Sequence, residues 1–261
     1  MAKIINRSYF PNSLTLMNLF SGFSAIIYIS QGEFFTASLF IILGAVFDAL
    51  DGAIARLLKT SSEIGVQLDS LCDLVSFGVA PSFMLYQVYF YQFNEFGIIL
   101  SSLPALAGAL RLARFNVKTN PFSDKDFFIG FPIPSGALTI LSYILFYQLS
   151  PDYSTNHKHV TIIAVTIGTS LAMVSTIRYF NLPKPNIRYI KERPLVFSVF
   201  ILSVIICIIT EGKFIFPFMI IYLTTGAIRS IYKWLTNPKN KEEGILEEDE
   251  YTEENAKTND I

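Results

Sequence analysis

The sequence predicts an all-α integral membrane protein, a bundle of about eight transmembrane helices with both termini on the cytoplasmic side. Of its 261 residues 52% are hydrophobic and only 16% are charged, and the mean hydropathy is +0.46. A soluble domain carries about 25% charged residues, so the composition excludes an ordinary soluble protein. The lengths of the apolar runs and the distribution of Lys and Arg lead to the same fold class.

The apolar runs set the number of helices, because a helix crosses the hydrocarbon core with roughly 20 mostly apolar residues. Suitable runs lie at 12–30, 34–57, 65–91, 97–115, 134–150, 160–179, 194–210 and 214–235. The fifth and seventh are short, which leaves a range of six to eight spans. The first run lacks a small-residue cleavage site, so we predict that it is retained as a span and is not a signal peptide.

Basic residues predict the orientation, because Lys and Arg collect on the cytoplasmic side of membrane proteins. With eight spans and a cytoplasmic N-terminus, only Lys158 and Lys213 of the 20 Lys and Arg residues fall outside. We therefore predict a multi-pass protein of the cell (inner) membrane with a transmembrane domain over residues 1–236. Residues 237–261 hold nine acidic and three basic residues, and we predict that they form a disordered cytoplasmic tail.

Four aspartates interrupt the second and third predicted spans. A charged residue at the centre of a membrane helix costs about 2.5–3.5 kcal/mol, so four without partners would cost roughly 10 kcal/mol. Asp48 and Asp51 are three residues apart, and Asp69 and Asp73 are four apart, so each pair lies on one face of its helix. Together the two faces would form a cage of carboxylate oxygens. Mg²⁺, Mn²⁺ and Ca²⁺ prefer such ligands. No His lies at helical spacing beside the aspartates, and Cys72 and Cys207 have no partner at metal spacing, which argues against zinc.

Two other interpretations of these aspartates stay open. They could be residues of the membrane boundary paired with nearby Arg and Lys, although four at this spacing make that reading weaker. The protein could also be a proton-coupled transporter, because carboxylates inside membranes relay protons. That reading explains isolated carboxylates better than four together beside Arg56. Gly52 and Gly65 in the same stretch leave room for a phosphate or another ligand to come close.

The stretch from 48 to 73 resembles the signature of the CDP-alcohol phosphotransferases. Its eight fixed positions over 26 residues are all present, as Asp48-x2-Asp51-Gly52-x2-Ala55-Arg56-x8-Gly65-x3-Asp69-x3-Asp73. Residues 11–15 with Asn18 are similar to the family's first span, whereas 69–81 and 111–116 resemble its phosphatidylserine synthase branch. The similarity covers about residues 11–136.

This resemblance implies transfer of a phosphatidyl group from CDP-diacylglycerol to an alcohol, with release of CMP. In the branch concerned the alcohol is L-serine, and inositol, glycerol phosphate or an archaeal lipid donor are alternatives. The resemblance also implies that Asp73 is the general base and that Gly52, Arg56 and Gly65 bind the CDP moiety. Two divalent ions, Mg²⁺ or Mn²⁺, are implied at the pyrophosphate, held by Asp48, Asp51, Asp69 and Asp73.

Contacts to the acceptor are less well defined by the sequence. Arg111 and Arg114 end the fourth span, where they either anchor it at the membrane surface or bind the serine carboxylate or the lipid phosphate. Asn116 and Ser135 are candidate neutral acceptors for the serine ammonium group. Arg178, Arg188 and Arg193 are candidates for attraction to anionic lipid, with a share in the site as the alternative. Membrane lipid is the expected surrounding, a homodimer is compatible with the sequence, and nothing indicates a nucleic acid partner.

Overall fold

A computed structural model describes residues 9–58, 63–118, 127–151, 155–180, 202–203 and 205–236. The helices are α1 (Tyr9–Ser30), α2 (Phe34–Leu58), α3 (Glu63–Asp73), α4 (Ala80–Val88), α5 (Asn94–Lys118), α6 (Ile133–Tyr143), α7 (Thr155–Val174) and α8 (Ile215–Thr236). A π-helical turn over Leu74–Val79 joins α3 to α4, another over Ile144–Gln148 extends α6, and a 3₁₀ turn over Phe90–Phe93 precedes α5. Arg188, Arg193 and the predicted tail at 237–261 lie outside the described residues.

The predicted fold class, an all-α membrane protein, is confirmed. Within the described residues five helical runs are long and apolar enough to cross a bilayer: Pro11–Ser30, Phe34–Leu58, Ile64–Val88, Phe90–Val117 and His157–Val174. The helix Ile215–Arg229 is apolar but shorter. Large apolar side chains such as Phe20, Phe96 and Leu171 are exposed on these helices, as expected of a surface that lipid covers. The chain is therefore a multi-pass membrane protein.

Three predicted spans differ in detail from the structure. The run at 134–150 corresponds to α6 with its π-helical extension, which is shorter than the length a straight span needs. The run at 160–179 is shifted, because α7 begins with the polar residues Thr155 and Asn156 and ends at Val174. The run at 194–210 lies mostly outside the described residues, although 202–203 and 205–209 are helical. The total of eight spans therefore stays a prediction.

A short antiparallel strand pair links two segments that are far apart in the sequence. Strand β1 (Phe127–Ile129) pairs with β2 (Arg178–Phe180), with Phe128 opposite Tyr179. The connection continues beyond the strands, because the Phe131 N–H donates to the Ala172 carbonyl at 2.9 Å. The segment after α7 is thereby held against the start of α6. Strands of three residues carry too little periodicity to be predicted from the sequence.

Successive helical runs alternate in direction, with α3 and α4 forming one run, so their ends form two groups. One group, which we call the aspartate end, contains the ends of α2, α5 and α7 and the beginnings of α3 and α6. At the opposite end, the Tyr89 hydroxyl lies 2.9 Å from His159 Nδ1, and the Tyr143 hydroxyl donates to the Lys158 carbonyl at 3.1 Å. The predicted site residues all lie toward the aspartate end.

Helix α1 packs tightly against the π-helical turn that follows Asp73. A Cβ atom on Gly22 would lie 2.3 Å from Ser76 Oγ and 2.8 Å from Ser76 Cα, so only glycine fits there. The Ser76 hydroxyl donates to the Asn18 carbonyl at 2.9 Å, which ties the turn to α1. π-helical turns often occur at functional sites, and this one begins directly after Asp73. The arrangement brings the polar residues of α1 next to the aspartates.

Candidate active site

The four predicted carboxylates come together at the aspartate end. Carboxylate oxygens of Asp48, Asp51 and Asp69 all lie within 4.8 Å of one another, and we call these three residues the aspartate cluster. Asp73 follows one helical turn later on α3. Its side chain is outside that distance but interacts electrostatically with all three members of the cluster. Asp51 and Asp73 are buried, and the other two are partly buried.

Helix α1 supplies the hydrogen bonds that orient two of the carboxylates. The Thr15 hydroxyl donates to Asp51 Oδ2 at 2.6 Å, and Asn18 Nδ2 donates to Asp73 Oδ1 at 2.9 Å. Thr15 and Asn18 are themselves buried, so these bonds are shielded from water. The sequence resemblance included both residues but assigned them no role. The sequence did contain a signal for them, because these two polar side chains are three residues apart and share one face of a predicted membrane helix.

The aspartate cluster has the properties of a divalent-cation site. Among the described residues, Asp69 Oδ1 is buried and receives no hydrogen bond. The carboxyl groups of Asp48 and Asp69 also face each other at hydrogen-bonding distance, although like charges repel. A cation bound by the three carboxylates would balance both features with hard oxygen ligands. The residues present therefore fit Mg²⁺ or Mn²⁺.

A cavity of about 230 Å³ opens directly beside the aspartate cluster. All three residues predicted to bind CDP line it: Gly52, Arg56 and Gly65. Asp51, Asp69 and Thr15 contribute to the same wall, so the cavity is continuous with the carboxylates. Arg56 is exposed on its rim, and its positive charge interacts with Asp48. The cavity can thus accept an anionic group next to the carboxylates.

The four candidate acceptor contacts are placed differently from one another. Arg111 is buried, interacts electrostatically with Asp73, and its Nε has no hydrogen-bond partner among the described residues. Arg114 instead donates from Nη2 to the carbonyl oxygens of Met173 and Val174, at 3.3 and 2.6 Å. Arg114 therefore caps the end of α7, a role that cationic side chains fill well at a helix C-terminus.

Asn116 and Ser135 also have structural contacts. Asn116 Nδ2 donates to Ser70 Oγ at 3.0 Å and to Gln67 Oε1 at 3.3 Å, which joins α5 to the helix that carries Asp69. Ser135 is buried at the start of α6 and lines a second cavity of about 580 Å³. The walls of this cavity are almost entirely apolar, with Phe77 and Tyr222 among them.

Two residues near Arg111 were not singled out from the sequence. Tyr222 of α8 interacts electrostatically with Arg111 and with Tyr179 of β2. The Tyr179 hydroxyl is buried and has no hydrogen-bond partner among the described residues. No local pattern around either tyrosine signals a site, because the strand pair and α8 bring the two tyrosines together only in the folded chain.

Comparison with known proteins places these features in a family. The family model described as CDP-alcohol phosphatidyltransferase matches residues 8–177, well over half of the chain. The chain belongs to this family. The match contains every residue of the signature from 48 to 73, and the resemblance predicted from the sequence is confirmed.

Individual relatives of this CDP-alcohol phosphatidyltransferase cover most of the chain. A CDP-diacylglycerol–serine O-phosphatidyltransferase of Helicobacter pylori is 35% identical over 229 residues, 87% of this chain and 94% of the relative. One of Methanocaldococcus jannaschii is 36% identical over 221 residues, 84% of this chain and 92% of the relative. An archaetidylserine synthase of Methanothermobacter thermautotrophicus is 35% identical over 184 residues, 68% of this chain and 72% of the relative.

The cation fit predicts that the purified protein binds Mn²⁺ without any substrate. Asp48→Asn should weaken Mn²⁺ binding at least about tenfold, because one charged ligand of the cluster becomes a neutral amide. Electron paramagnetic resonance of free Mn²⁺ during titration measures the affinity. Glu95→Gln is the matched control, since Glu95 is exposed at the opposite end of the bundle and should bind no ion. Equal affinities in wild type and Asp48→Asn would contradict a cation site at the cluster.

Proposed function

We propose that this protein catalyses the metal-dependent transfer of a phosphatidyl group from CDP-diacylglycerol to the hydroxyl of L-serine, giving phosphatidylserine and CMP. One observation carries the proposal. The three carboxylates of the aspartate cluster converge within 4.8 Å beside a cavity lined by Gly52, Arg56 and Gly65. Metal ligands and an anion-sized space next to them are what a pyrophosphate substrate requires.

The names of the relatives support serine as the acceptor. The Helicobacter and Methanocaldococcus proteins are named for transfer to serine, and the Methanothermobacter relative is named for archaetidylserine synthesis. All three names share the serine headgroup and differ in the lipid. The names of the Helicobacter and Methanocaldococcus proteins support CDP-diacylglycerol as the donor. The name of the Methanothermobacter relative makes an archaeal lipid donor the second candidate.

The reaction divides among the residues of the site as follows. Bound Mg²⁺ or Mn²⁺, held by Asp48, Asp51, Asp69 and Asp73, would neutralise the pyrophosphate charge. Arg56 at the cavity rim contributes a cationic contact to the same phosphates, and Gly52 and Gly65 leave them room. The apolar cavity beside Ser135 offers space for the hydrophobic part of the lipid.

Asp73 is the residue that we assign as general base. A serine hydroxyl is a weak nucleophile until a carboxylate within hydrogen-bond reach takes its proton. Asn18 donates to Asp73 Oδ1 and so orients the carboxylate, and we assign the other oxygen, Oδ2, as the one that accepts that proton. The serine oxygen then bonds to the phosphorus of the phosphatidyl group as the P–O bond to CMP breaks. CMP departs with the electrons of that bond.

Arg111 is the residue that we assign to the serine carboxylate. Arg114 is engaged at the end of α7 and Asn116 at α3, whereas Arg111 lies toward Asp73 with Nε unpartnered among the described residues. A side-on guanidinium binds both carboxylate oxygens through Nε and Nη. The positions of Arg111 and Asp73 also suit serine, because its carboxylate and its hydroxyl are close together and Arg111 interacts with Asp73.

A proton-coupled transporter is the alternative of another class. Proton relays need carboxylates that change protonation in turn along a path. The carboxylates of the aspartate cluster instead lie within 4.8 Å of one another beside a cavity, an arrangement that suits cation binding better than a proton path. The transferase proposal is therefore preferred.

The proposal predicts CMP release when purified protein is incubated with CDP-diacylglycerol, Mn²⁺ or Mg²⁺, and L-serine. EDTA should abolish release and added metal should restore it, because the phosphate charge is otherwise not neutralised. A parallel panel with labelled inositol, glycerol phosphate and an archaeal CDP-lipid tests the alternatives. Full activity in EDTA would refute metal dependence. Preference for an uncharged polyol would refute serine, and transfer to no alcohol would leave the transporter reading.

The assignment of Asp73 predicts that Asp73→Asn loses turnover by about two to four orders of magnitude, the contribution of a general base. Binding of CDP-diacylglycerol should change far less, since the amide oxygen can still accept the Asn18 hydrogen bond. Asp48→Ala, in contrast, should weaken metal and CDP-lipid binding together. Single-turnover kinetics and equilibrium lipid binding distinguish the two. Mild and equal effects of both variants would show that these roles are wrong.

We further propose that the aspartate end faces the cytoplasm of a cell (inner) membrane protein. Arg56, Arg111 and Arg114 lie toward this end, whereas Lys158 and Lys213 lie at the opposite end. Such an asymmetry follows the preference of Lys and Arg for the cytoplasmic side. A cytoplasmic site would also meet serine where it is made.

The orientation predicts different labelling of cysteines at the two ends of one helix. Glu95→Cys at the beginning of α5 should react with an impermeant maleimide on intact spheroplasts. Val117→Cys, at the end of α5 with 82% of its side chain exposed, should react only after permeabilisation. The parent protein controls for labelling of Cys72 and Cys207. The reverse pattern would place the site on the outside.

A further inference from the structure

Two buried donor groups have no hydrogen-bond partner within the described part of the chain. They are Nε of Arg111, a residue 8% exposed, and the hydroxyl of Tyr179, a residue 1% exposed. A buried donor that stays unpaired costs folding free energy, so such groups call for a ligand or another explanation. Both belong to the same end of the bundle as Asp73.

Tyr222 lies between Tyr179 and Arg111, and Tyr179 itself packs in a group of aromatic rings. The Tyr179 ring lies 5.3 Å from the Phe131 ring and 5.8 Å from the Tyr222 ring, measured between centroids. Tyr222 in turn interacts electrostatically with both Tyr179 and Arg111. A Cβ atom on Gly226 would lie 2.3 Å from the Tyr179 ring, so glycine at that position of α8 makes the space that the tyrosine fills.

The chemistry of these groups indicates an anion with several oxygen acceptors. Arginine offers donors only, and burial raises the pKa of the Tyr179 hydroxyl above its usual value, so this hydroxyl is protonated at neutral pH. A carboxylate has enough lone pairs for two guanidinium N–H groups and one phenol O–H. A phosphate of the donor lipid has the same chemistry. The aspartate cluster and Arg56 already provide for the phosphates, which leaves the acceptor's carboxylate for these groups.

We propose that Tyr179 is a specificity-determining residue of the acceptor site, whose hydroxyl donates a hydrogen bond to the carboxylate that Arg111 binds. The inference rests on the proposed function, since it assumes an acceptor with a carboxylate. It adds that recognition depends on a residue of the strand pair, outside the signature and outside the membrane helices. Acceptors without a carboxylate gain nothing from Tyr179.

The test is Tyr179→Phe, which removes the hydroxyl and keeps the ring that packs on Phe131. The KM for L-serine should rise roughly ten- to hundredfold, the loss of one hydrogen bond to a charged group. For serinol, which has the hydroxyl and ammonium but no carboxylate, the KM of the variant should equal that of wild type. If serinol is not turned over, its Ki against serine replaces the KM. Arg111→Lys should show the same selective loss for L-serine.

Stability provides a second measurement with a matched control. Tyr179→Phe should keep the Tm in detergent, because its hydroxyl has no described partner to lose. Tyr143→Phe should lower the Tm, because that hydroxyl donates to the Lys158 carbonyl and Gln148 Oε1, and should leave the serine KM unchanged. A similar fall in Tm for both variants would indicate a structural role for Tyr179 and contradict the inference.

Three kinetic outcomes would also overturn the inference. They are an unchanged KM for L-serine in Tyr179→Phe, an equal rise for L-serine and serinol, and a rise for CDP-diacylglycerol alone, which would assign the hydroxyl to the donor's phosphate. Failure of the proposed function looks different, because wild-type protein would then transfer no phosphatidyl group to serine. Serine transfer by wild type with normal serine kinetics in Tyr179→Phe refutes the inference alone.

Discussion

The structure depends on holding four carboxylates together where membrane helices bury them. Each charge in an apolar helix costs a few kcal/mol, and neighbouring like charges add repulsion. Two features of the structure bear on this constraint. Helix α1 provides neutral donors in Thr15 and Asn18, and the aspartate cluster leaves an oxygen of Asp69 for a cation. Donors without charge cannot neutralise the cluster, so the proposed cation binding would be linked to the packing of the first three helices.

The sequence alone predicted several of the membrane helices and the pairing of the carboxylates. Apolar runs predict spans because a bilayer fixes the length of a helix, and the structure places α1, α2 and α5 within a few residues of the expected bounds. The aspartates could be found because each pair lies within one helical turn, where spacing determines the shared face. The strand pair could not be found, since Phe128 and Tyr179 are separated in the sequence by α6, its π-helical extension and α7 and lie opposite each other only in the folded chain.

The two arginines at the end of α5 show where sequence reasoning stops. Arg111 and Arg114 are three residues apart, have the same charge, and both suited a positive-inside anchor or a carboxylate contact. In the structure Arg114 reaches the last carbonyl groups of α7, whereas Arg111 interacts with Asp73 and Tyr222. The difference arises from which helix packs on each side of α5. Spacing along one helix gives no information on its neighbours.

These contrasts divide the candidate site into two parts of different origin. The donor side consists of one continuous stretch, 48–73, on two consecutive helices, and its geometry follows from local spacing. The proposed acceptor side combines α5, β2 and α8 through Arg111, Tyr179 and Tyr222, residues more than 100 positions apart at the extremes. On the proposed function, substitutions at Arg111 or Tyr179 would change the alcohol without altering the proposed metal ligands of the aspartate cluster, because Arg111 approaches the carboxylates at Asp73. The reaction class can therefore be read from a short motif, whereas the acceptor requires the folded chain.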